Sequence, residues 1–357
     1  MPHNSGIKKA LTSRTLRTGR ISRGGSIPKL QKTDARLGRI VRLLMAHATV
    51  VVSGTKIADE IATSRSEVWR LVQQLRELGV SIAGHPATGY RLQSVPDLLL
   101  ADVLSPLVQG TIFENQIHHY YKIGSTNTVA MEAASAGAPE GSVFLAERQT
   151  AGRGRGAHNW HSAQSAGIYC SVVLRPALPP SEALILSLAA GLAVHAAIQA
   201  INLEVMVDLK WPNDVLINGR KVAGILTEMN SEATRVRYLV IGIGINVNQA
   251  TFPVELQSPA TSLRLATGTE WSRVELCAAL LKSLNREYRN LLEKPGAHDS
   301  ILRRFQEQSS SARGTQVQVE ENGGFEGITE GLDQRGFLQV RTAHGVRAVL
   351  SGTVRPK

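Results

Sequence analysis

Between Asp34 and Ser94 the hydrophobic positions recur at helical spacing and then switch to alternation. Leu37, Ile40, Val41, Leu44 and Met45 predict a helix over 35–48. Ser53 opens a short helix carrying Ile57, Ala58 and Ile61. Thr63-Ser64 caps a longer one whose stripe, Val68, Leu71, Val72, Leu75 and Leu78, ends at Gly79. Val80-Ser81-Ile82 and Tyr90-Arg91-Leu92 flank a Gly- and Pro-containing turn and predict a hairpin. Helix, short helix, turn, helix and hairpin make the winged form of the helix-turn-helix. Ser64, Arg65, Ser66, Glu67, Trp69 and Arg70 are the exposed positions opening the third helix. Hydroxyls and guanidiniums there reach phosphates and base edges, so Ser64, Arg65, Ser66 and Arg70 are candidate DNA contacts. A small helical bundle used for protein contacts is the alternative.

Val95-Pro96-Asp97 reads as a linker into a helix over 98–108. From 109 to 308 strands and helices mix. The strands are expected at 117–123, 142–146, 168–174, 205–210, 221–229 and 238–243, the helices at 127–136, 181–200 and 272–292. Residues 314–354 hold short strands divided by Gly turns, the pattern of a small barrel. The expected class is α+β multidomain: a basic tail (1–33), a winged helix-turn-helix (34–95), a mixed-sheet domain (109–308) and a C-terminal barrel (312–357).

The length of 357 residues suits two or three domains. No apolar run reaches about 18 residues; the 183–200 stretch is broken by Ser187, Gly191, His195 and Gln199 and reads as a buried helix, not a membrane span. Cys170 and Cys277 are too few and too far apart for a zinc knuckle or a disulfide framework, and fit a reducing cytoplasm. Much of the net charge of +11 lies in residues 1–33, with Lys8, Lys9, Arg14, Arg17, Arg20, Arg23, Lys29 and Lys32 and no acid. Three readings fit this tail: a solvated extension, an arm for nucleic-acid phosphates, and an organellar transit peptide.

The chemistry concentrates in two segments. Gly152-Arg153-Gly154-Arg155-Gly156 sits between strands. Glycine lets backbone wrap a ligand, and arginine forks match carboxylate and phosphate oxygens. The Gly-Lys-[Ser/Thr] ending of a Walker loop is missing. Lys210-Trp211-Pro212-Asn213-Asp214 ends a strand, where a lysine can bridge a carboxylate and an α-phosphate. Ser125-Thr126-Asn127 opens a helix, as an N-cap or as a set of free N–H groups for a polar ligand. Ile241-Gly242-Ile243-Gly244-Ile245-Asn246 lacks the third glycine of a dinucleotide fingerprint. It suits instead a strand that leaves room for a flat apolar ligand. His118 and His119 are adjacent in a strand and face opposite sides, so they are structural, and no cluster has metal-ligand spacing.

Gly-Ser-Thr-Asn at 124–127, Gln149 with Gly-Arg-Gly-Arg at 152–155, Trp160, Lys-Trp-Pro-Asn-Asp at 210–214, Lys-Val-Ala-Gly-Ile-Leu at 221–226 and Gly-Ile-Gly-Ile-Asn at 242–246 together resemble the biotin–protein ligases. The N-terminal winged helix makes the chain similar to their bifunctional ligase-repressor form. The resemblance implies a central sheet like that of class II aminoacyl-tRNA synthetases and a C-terminal SH3-like barrel. It implies biotin and ATP as substrates, with Mg2+ accompanying ATP, formation of biotinyl-5′-AMP, and transfer to a lysine of biotin carboxyl carrier protein. A lipoate or octanoate ligase, or a biotin-sensing repressor without ligase activity, are the other readings. By motif position Ser125, Thr126, Asn127, Gln149, Arg153, Gly154, Arg155, Lys210, Gly242 and Gly244 would bind biotin. Gly152, Arg155, Trp160, Asn213 and Asn246 would bind the nucleotide, with Lys210 and Arg153 catalytic. Operator DNA and a ligand-promoted homodimer are the implied partners, with 215–217 as the dimer's edge strand. The loop departs from the family at Gly156 and His158, where basic residues are usual.

Overall fold

Three helices and a hairpin are what the N-terminal pattern builds in the computed structural model, which describes residues 32–94, 97–321, 323–350 and 352–357. The basic segment expected at 1–33 lies outside these but for its last two residues, as do Val95 and Pro96 of the linker. Helices α1 (Lys32–Ala46), α2 (Gly54–Glu60) and α3 (Arg65–Glu77) precede the antiparallel pair β1 (Ile82–His85) and β2 (Gly89–Leu92). Ser53 Oγ accepts from Lys56 N and Ser64 Oγ from Glu67 N, so both expected caps form. The predicted stripes of α1 and α3 meet in one buried cluster. Leu98, Leu100 and Tyr121 join it, so the winged helix packs on the chain that enters the next domain.

That chain forms α4 (Ala101–Leu104) and one 3-10 turn (Ser105–Val108), not a single helix over 98–108. Pro106 removes an N–H and tightens the turn. The central sheet contains β3 (Ile117–Tyr120), β4 (Val143–Ala146), β5 (Gly167–Leu174), β6 (Val207–Lys210), β7 (Asp214–Ile217), β8 (Arg220–Ser231) and β9 (Val236–Asn246), in the order β3-β4-β5-β9-β8-β7-β6. Only β3 and β4 run parallel. Strand β9 continues through its glycines, which pair in the ladder with Gly224 and Leu226 of β8. Helix α5 (Thr126–Ser135) packs its alanines on one face, against Phe144, Val173 and Val240. Helices α6 (Leu184–Ile201), α8 (Arg273–Glu293) and α9 (Ala297–Glu307) cover the other. Among the described residues, one helical stretch, Pro180–Ile201, is long and apolar enough to cross a membrane, and most of it is buried in this core. The short α7 (Leu263–Thr267) and α9 were not expected from the pattern.

Residues 215–217 do not form an edge. They lie in β7, between β6 and β8. The outer strand β6 is itself capped: Leu209 N donates to Gln308 O at 2.8 Å, and Asp208 accepts from Ser310 N and Oγ. Strand β8 runs beyond β7, whose pairing ends at Gly224.

The C-terminal strands β10 (Arg313–Glu320), β11 (Phe325–Leu332), β12 (Leu338–Thr342), β13 (Gly345–Val349) and β14 (Thr353–Pro356) form an antiparallel, barrel-like sheet in the order β13-β12-β11-β10-β14. Its buried valines are continuous with the central core. The indole N–H of Trp211 donates to Gly336 O at 2.8 Å, fastening the Lys-Trp-Pro-Asn-Asp segment to this sheet.

Candidate active site

The start of α5, the Gly-Arg loop and the facing glycines of β8 and β9 converge on one inner slot. Ser125 occupies the N-cap position of α5 but makes no capping bond. Gln149 does that work: its Oε1 accepts from Thr126 N at 2.8 Å and from Thr126 Oγ1 at 3.1 Å. Its Nε2 donates to Ser162 Oγ at 3.0 Å. Ser171 Oγ, on β5, lies 2.6 Å from Asn127 Oδ1. The slot therefore has a fixed polar end made of Ser125, Thr126, Asn127 and Gln149.

Its walls are bare backbone where the glycines fall. A Cβ on Gly242 would overlap the Asn127 amide, and one on Gly244 the Trp160 indole. Gly224 faces Gly244 across the ladder, and a Cβ there would come within 2.9 Å of the same indole. Trp160 thus lies flat over two glycines. The space left in the slot is about 40 Å³. Pockets that enclose a small molecule run from about 300 Å³ upward, so a ligand enters only as the indole moves. Trp160 Nε1 is buried and makes no hydrogen bond, which disfavours this arrangement.

The loop over the slot is fastened in three ways. Gly154 N donates to His158 O at 2.7 Å. Arg153 forms a bidentate pair with Glu228 on β8, Nη2–Oε1 2.8 Å and Nη1–Oε2 3.0 Å. Arg155 Nη1 donates to Gly352 O of the C-terminal domain at 3.1 Å. Gly156, at φ 63°, takes the left-handed turn that lets the loop reverse, which a larger residue disfavours. Gly152 lies beneath the loop against Trp160 O, and is structural rather than exposed to a ligand.

Of the cavities that adjoin the slot, two reach Trp160 and Lys221. The larger, about 540 Å³, is lined by Arg155, His158, Lys210, Asn213, Lys221 and residues 352–354. The smaller, about 160 Å³, is mostly apolar, with Phe252, Leu256, Pro259 and Ala260 beside Trp160, Lys221 and Asn246. Lys221 and Trp160 line all three spaces. The Lys221 ammonium lies 2.5 Å from Asp214 Oδ1 and 5.6 Å from the Trp160 ring centroid. Lys210, expected to sit at the reacting carboxylate, lines only the large cavity. Asn213 bridges to β8 through Nδ2 to Ile225 O, and Asn246 to the 249–261 loop through Nδ2 to Thr261 O, so both amides are partly committed to the scaffold. Sequence reasoning missed Lys221 and Phe252. The signal for Lys221 was its place at the head of the strand that carries Gly224.

A buried ionic network lies at the end of β4. Glu147, the residue immediately after the last pairing of β4 with β3, is fully buried. Its Oε2 accepts from Arg273 Nη1 at 2.7 Å, and its Oε1 from Leu99 N and from His119 Nε2, each at 3.0 Å. Arg273 also donates to Gly167 O and to the Asp97 carboxylate. Burial alone would raise the Glu147 carboxyl; the Arg273 charge and the His119 and Leu99 hydrogen bonds outweigh it and hold it at about 2. His118 stacks on Phe144, so both histidines are structural. Burial pushes the Cys170 thiol up to about 12 and that of Cys277 well above its ordinary value, so neither is a nucleophile. Among the described residues no group of His, Cys, Asp and Glu has the makings of a metal site.

In the winged helix, Ser64 is the cap, Arg65 Nη2 donates to Pro86 O of the hairpin turn at 2.7 Å, and Arg70 pairs with Glu67 at 2.6 Å. Arg65 thus sets the wing against α3. Ser64, Arg65, Ser66, Trp69 and Arg70 are all exposed there, Trp69 at 47% and Arg70 at 48%, so the candidate DNA contacts stay accessible.

Comparison with known proteins bears on this geometry. The chain is 36% identical to the bifunctional ligase/repressor BirA of Bacillus spizizenii over 318 residues, covering 88% of this chain and 97% of that protein. The chain belongs to the biotin/lipoate protein ligase family. The description "Biotin/lipoate A/B protein ligase family" matches residues 120–246, an HTH domain matches 36–91, and "Biotin protein ligase C terminal domain" matches 314–354. The ligase core thus coincides with the strands that carry the slot. The biotin–[acetyl-CoA-carboxylase] ligase of Mycobacterium tuberculosis is 35% identical over 237 residues, 65% of this chain and 85% of that one. The solved biotin protein ligase of Aquifex aeolicus, in complex with biotin and ATP, superposes with a TM-score of 0.59 at 30% identity, over 68% of this chain and 99% of that one.

Proposed function

We infer that this protein is an ATP-dependent biotin–protein ligase that also acts as a biotin-responsive repressor. One observation carries the ligase reading: the Lys221 ammonium stands where a slot with a polar end, a cationic cavity and an apolar pocket meet. Joining an acid to a nucleotide needs that junction. The bicyclic head of biotin fits the inner slot, its ureido group against Ser125, Thr126, Asn127 and Gln149. The apolar pocket of Phe252, Leu256 and Ala260 suits a purine, and the cavity with Arg155, Lys210 and Asn213 suits the phosphates, with Mg2+ arriving on the nucleotide.

The carboxylate oxygen of biotin attacks the α-phosphorus, the bond to the leaving pyrophosphate breaks, and biotinyl-5′-AMP remains. Lys221 neutralises charge on the carboxylate and the α-phosphate, most strongly as the pentacoordinate phosphorus forms. The chain's remaining work is alignment: the slot orients one reactant and the apolar pocket the other. The ε-amine of a lysine on biotin carboxyl carrier protein then attacks the acyl carbon, loses a proton and expels AMP. Trp160, once displaced from the slot, is placed to cover the adenylate and keep water from it.

Arg65 and the wing support DNA binding by α3, with Ser66, Trp69 and Arg70 on its exposed face. Trp69 suits the methyl group of a thymine. The overhang of β8, rather than 215–217, is the free strand edge suited to ligand-promoted pairing of two copies. The cytoplasm, which keeps Cys170 and Cys277 reduced, is the compartment that fits. The reading is tested by mixing protein, MgATP and labelled biotin with a carrier domain: label on the carrier lysine, dependent on ATP, is expected. Equal or better transfer of octanoate or lipoate would move the substrate, and no transfer of any acid would remove the ligase reading.

A further inference from the structure

Glu228 lines none of the spaces just described, yet two groups of the slot converge on it. Arg153 reaches it from the loop with both Nη atoms, at 2.8 and 3.0 Å. Asn127 reaches it from α5, Nδ2 to Glu228 Oε2 at 3.0 Å. The same amide gives its other proton to Leu226 O at 3.3 Å and receives Ser171 Oγ, so its orientation is fully fixed. A carboxylate is the one common side-chain group that accepts a bidentate guanidinium and still has a lone pair for an amide. Glu228 side-chain exposure is 23% and that of Arg153 is 48%, so the pair is screened on one side and its strength is that of a partly exposed ion pair.

The charge count points the same way. Glu228 neutralises Arg153 and Asp214 neutralises Lys221. Asp214 sits at the reaction junction and must yield Lys221 to a substrate anion. Glu228 lies behind the wall, away from the junction, so its hold on Arg153 persists when the slot is filled. Arg153 then serves the loop rather than the phosphates.

We propose that Glu228 is a positioning residue for ligation: it ties the Arg153 limb of the loop to Asn127 of the slot wall, so that the loop stays down over bound biotin and its adenylate. The proposal deepens the ligase reading and rests on it for its catalytic part. The test uses full-length protein as wild type, Glu228→Gln, Arg153→Met and the double variant. Without ligands, trypsin cleavage after Arg155, followed by mass spectrometry, reports how often the loop lifts. Cleavage about 5- to 30-fold faster in Glu228→Gln is expected, the loss of one charged, half-exposed pair. With biotin and MgATP, the KM for biotin rises by a similar factor while kcat for pyrophosphate release stays within about threefold, because no reacting atom is touched. The double variant matches Arg153→Met alone in both readouts, since the two residues act as one unit. Wild-type cleavage and KM in Glu228→Gln, or effects of the single variants that multiply in the double, would overturn the proposal. Wild-type protein that releases no pyrophosphate removes the ligase reading instead, and the cleavage series still decides whether Glu228 holds the loop.

Discussion

Replacing Arg273 with Met takes a guanidinium out of a site where it is 1% exposed and leaves Glu147, 0% exposed, without its main counter-charge. The size of the loss follows from the carboxylate. Held at about 2 rather than 4.5, Glu147 contributes on the order of 3 kcal/mol of stability near neutral pH. That agrees with the roughly 3–5 kcal/mol that breaking a buried pair costs. The folded-state value is depressed, so this stability is present above about 4.5 and is lost as pH falls from there towards 2. At about 2–4 °C per kcal/mol for a domain near this size, Arg273→Met lowers the melting temperature by roughly 6–20 °C. The assay is urea unfolding at pH 7 and again at pH 3. The variant's deficit is several kcal/mol at pH 7 and shrinks at pH 3, where Glu147 of the variant is protonated in both states. A deficit under about 1 kcal/mol at pH 7, or one that does not depend on pH, would refute the reasoning. The same network binds Asp97 and Leu99, which enter from the winged helix, so protease cuts near residue 97 should accelerate in parallel.

Gly242→Ala drives a methyl into an Asn127 amide that cannot turn; about 1–3 kcal/mol of stability is lost, by urea titration, and the KM for biotin rises. Arg65→Ala frees the hairpin turn from α3, and operator affinity by fluorescence anisotropy falls without a change in pyrophosphate release. Cys170 and Cys277 are both buried, so an aromatic disulfide reagent labels them only at the rate of unfolding, and prompt labelling of folded protein would contradict their placement.

The winged helix was legible because each of its stripes is buried on one side only, and Ser53 and Ser64 fill their cap positions as their chemistry dictates. The 183–200 stretch was legible as a core helix for the opposite reason: its small interruptions, Ser187 and Gly191, are buried with the apolar residues, and the larger His195 and Gln199 stay only partly covered. The slot residues were legible as a set only through the family resemblance, which named Gln149, Gly242, Gly244 and the Gly-Arg loop together; the fold brings them around one slot. What the chain order hid were relations across the sheet. Lys210 adjoins the distinctive Trp-Pro-Asn-Asp run, but the turn after β6 carries it into the outer cavity, and the β7–β8 hairpin brings Lys221 to the junction. Residues 215–217 looked like an edge because they are short and apolar; the order of strands in the sheet, set by contacts with β6, placed them inside. Gln149 as the cap of α5 depends on two segments 23 residues apart and leaves no local mark.

Pyrophosphate release at saturating biotin and MgATP, compared between Lys221→Met and Lys210→Met in protein shown to be folded by circular dichroism, bears most directly on the junction. Lys221→Met should lose about 100- to 1000-fold in turnover, the scale of removing a group aimed at developing charge. Lys210→Met should mainly raise the KM for ATP. Near-normal turnover by Lys221→Met, with the large loss in Lys210→Met instead, would contradict the assignment of the reacting carboxylate and phosphate to Lys221.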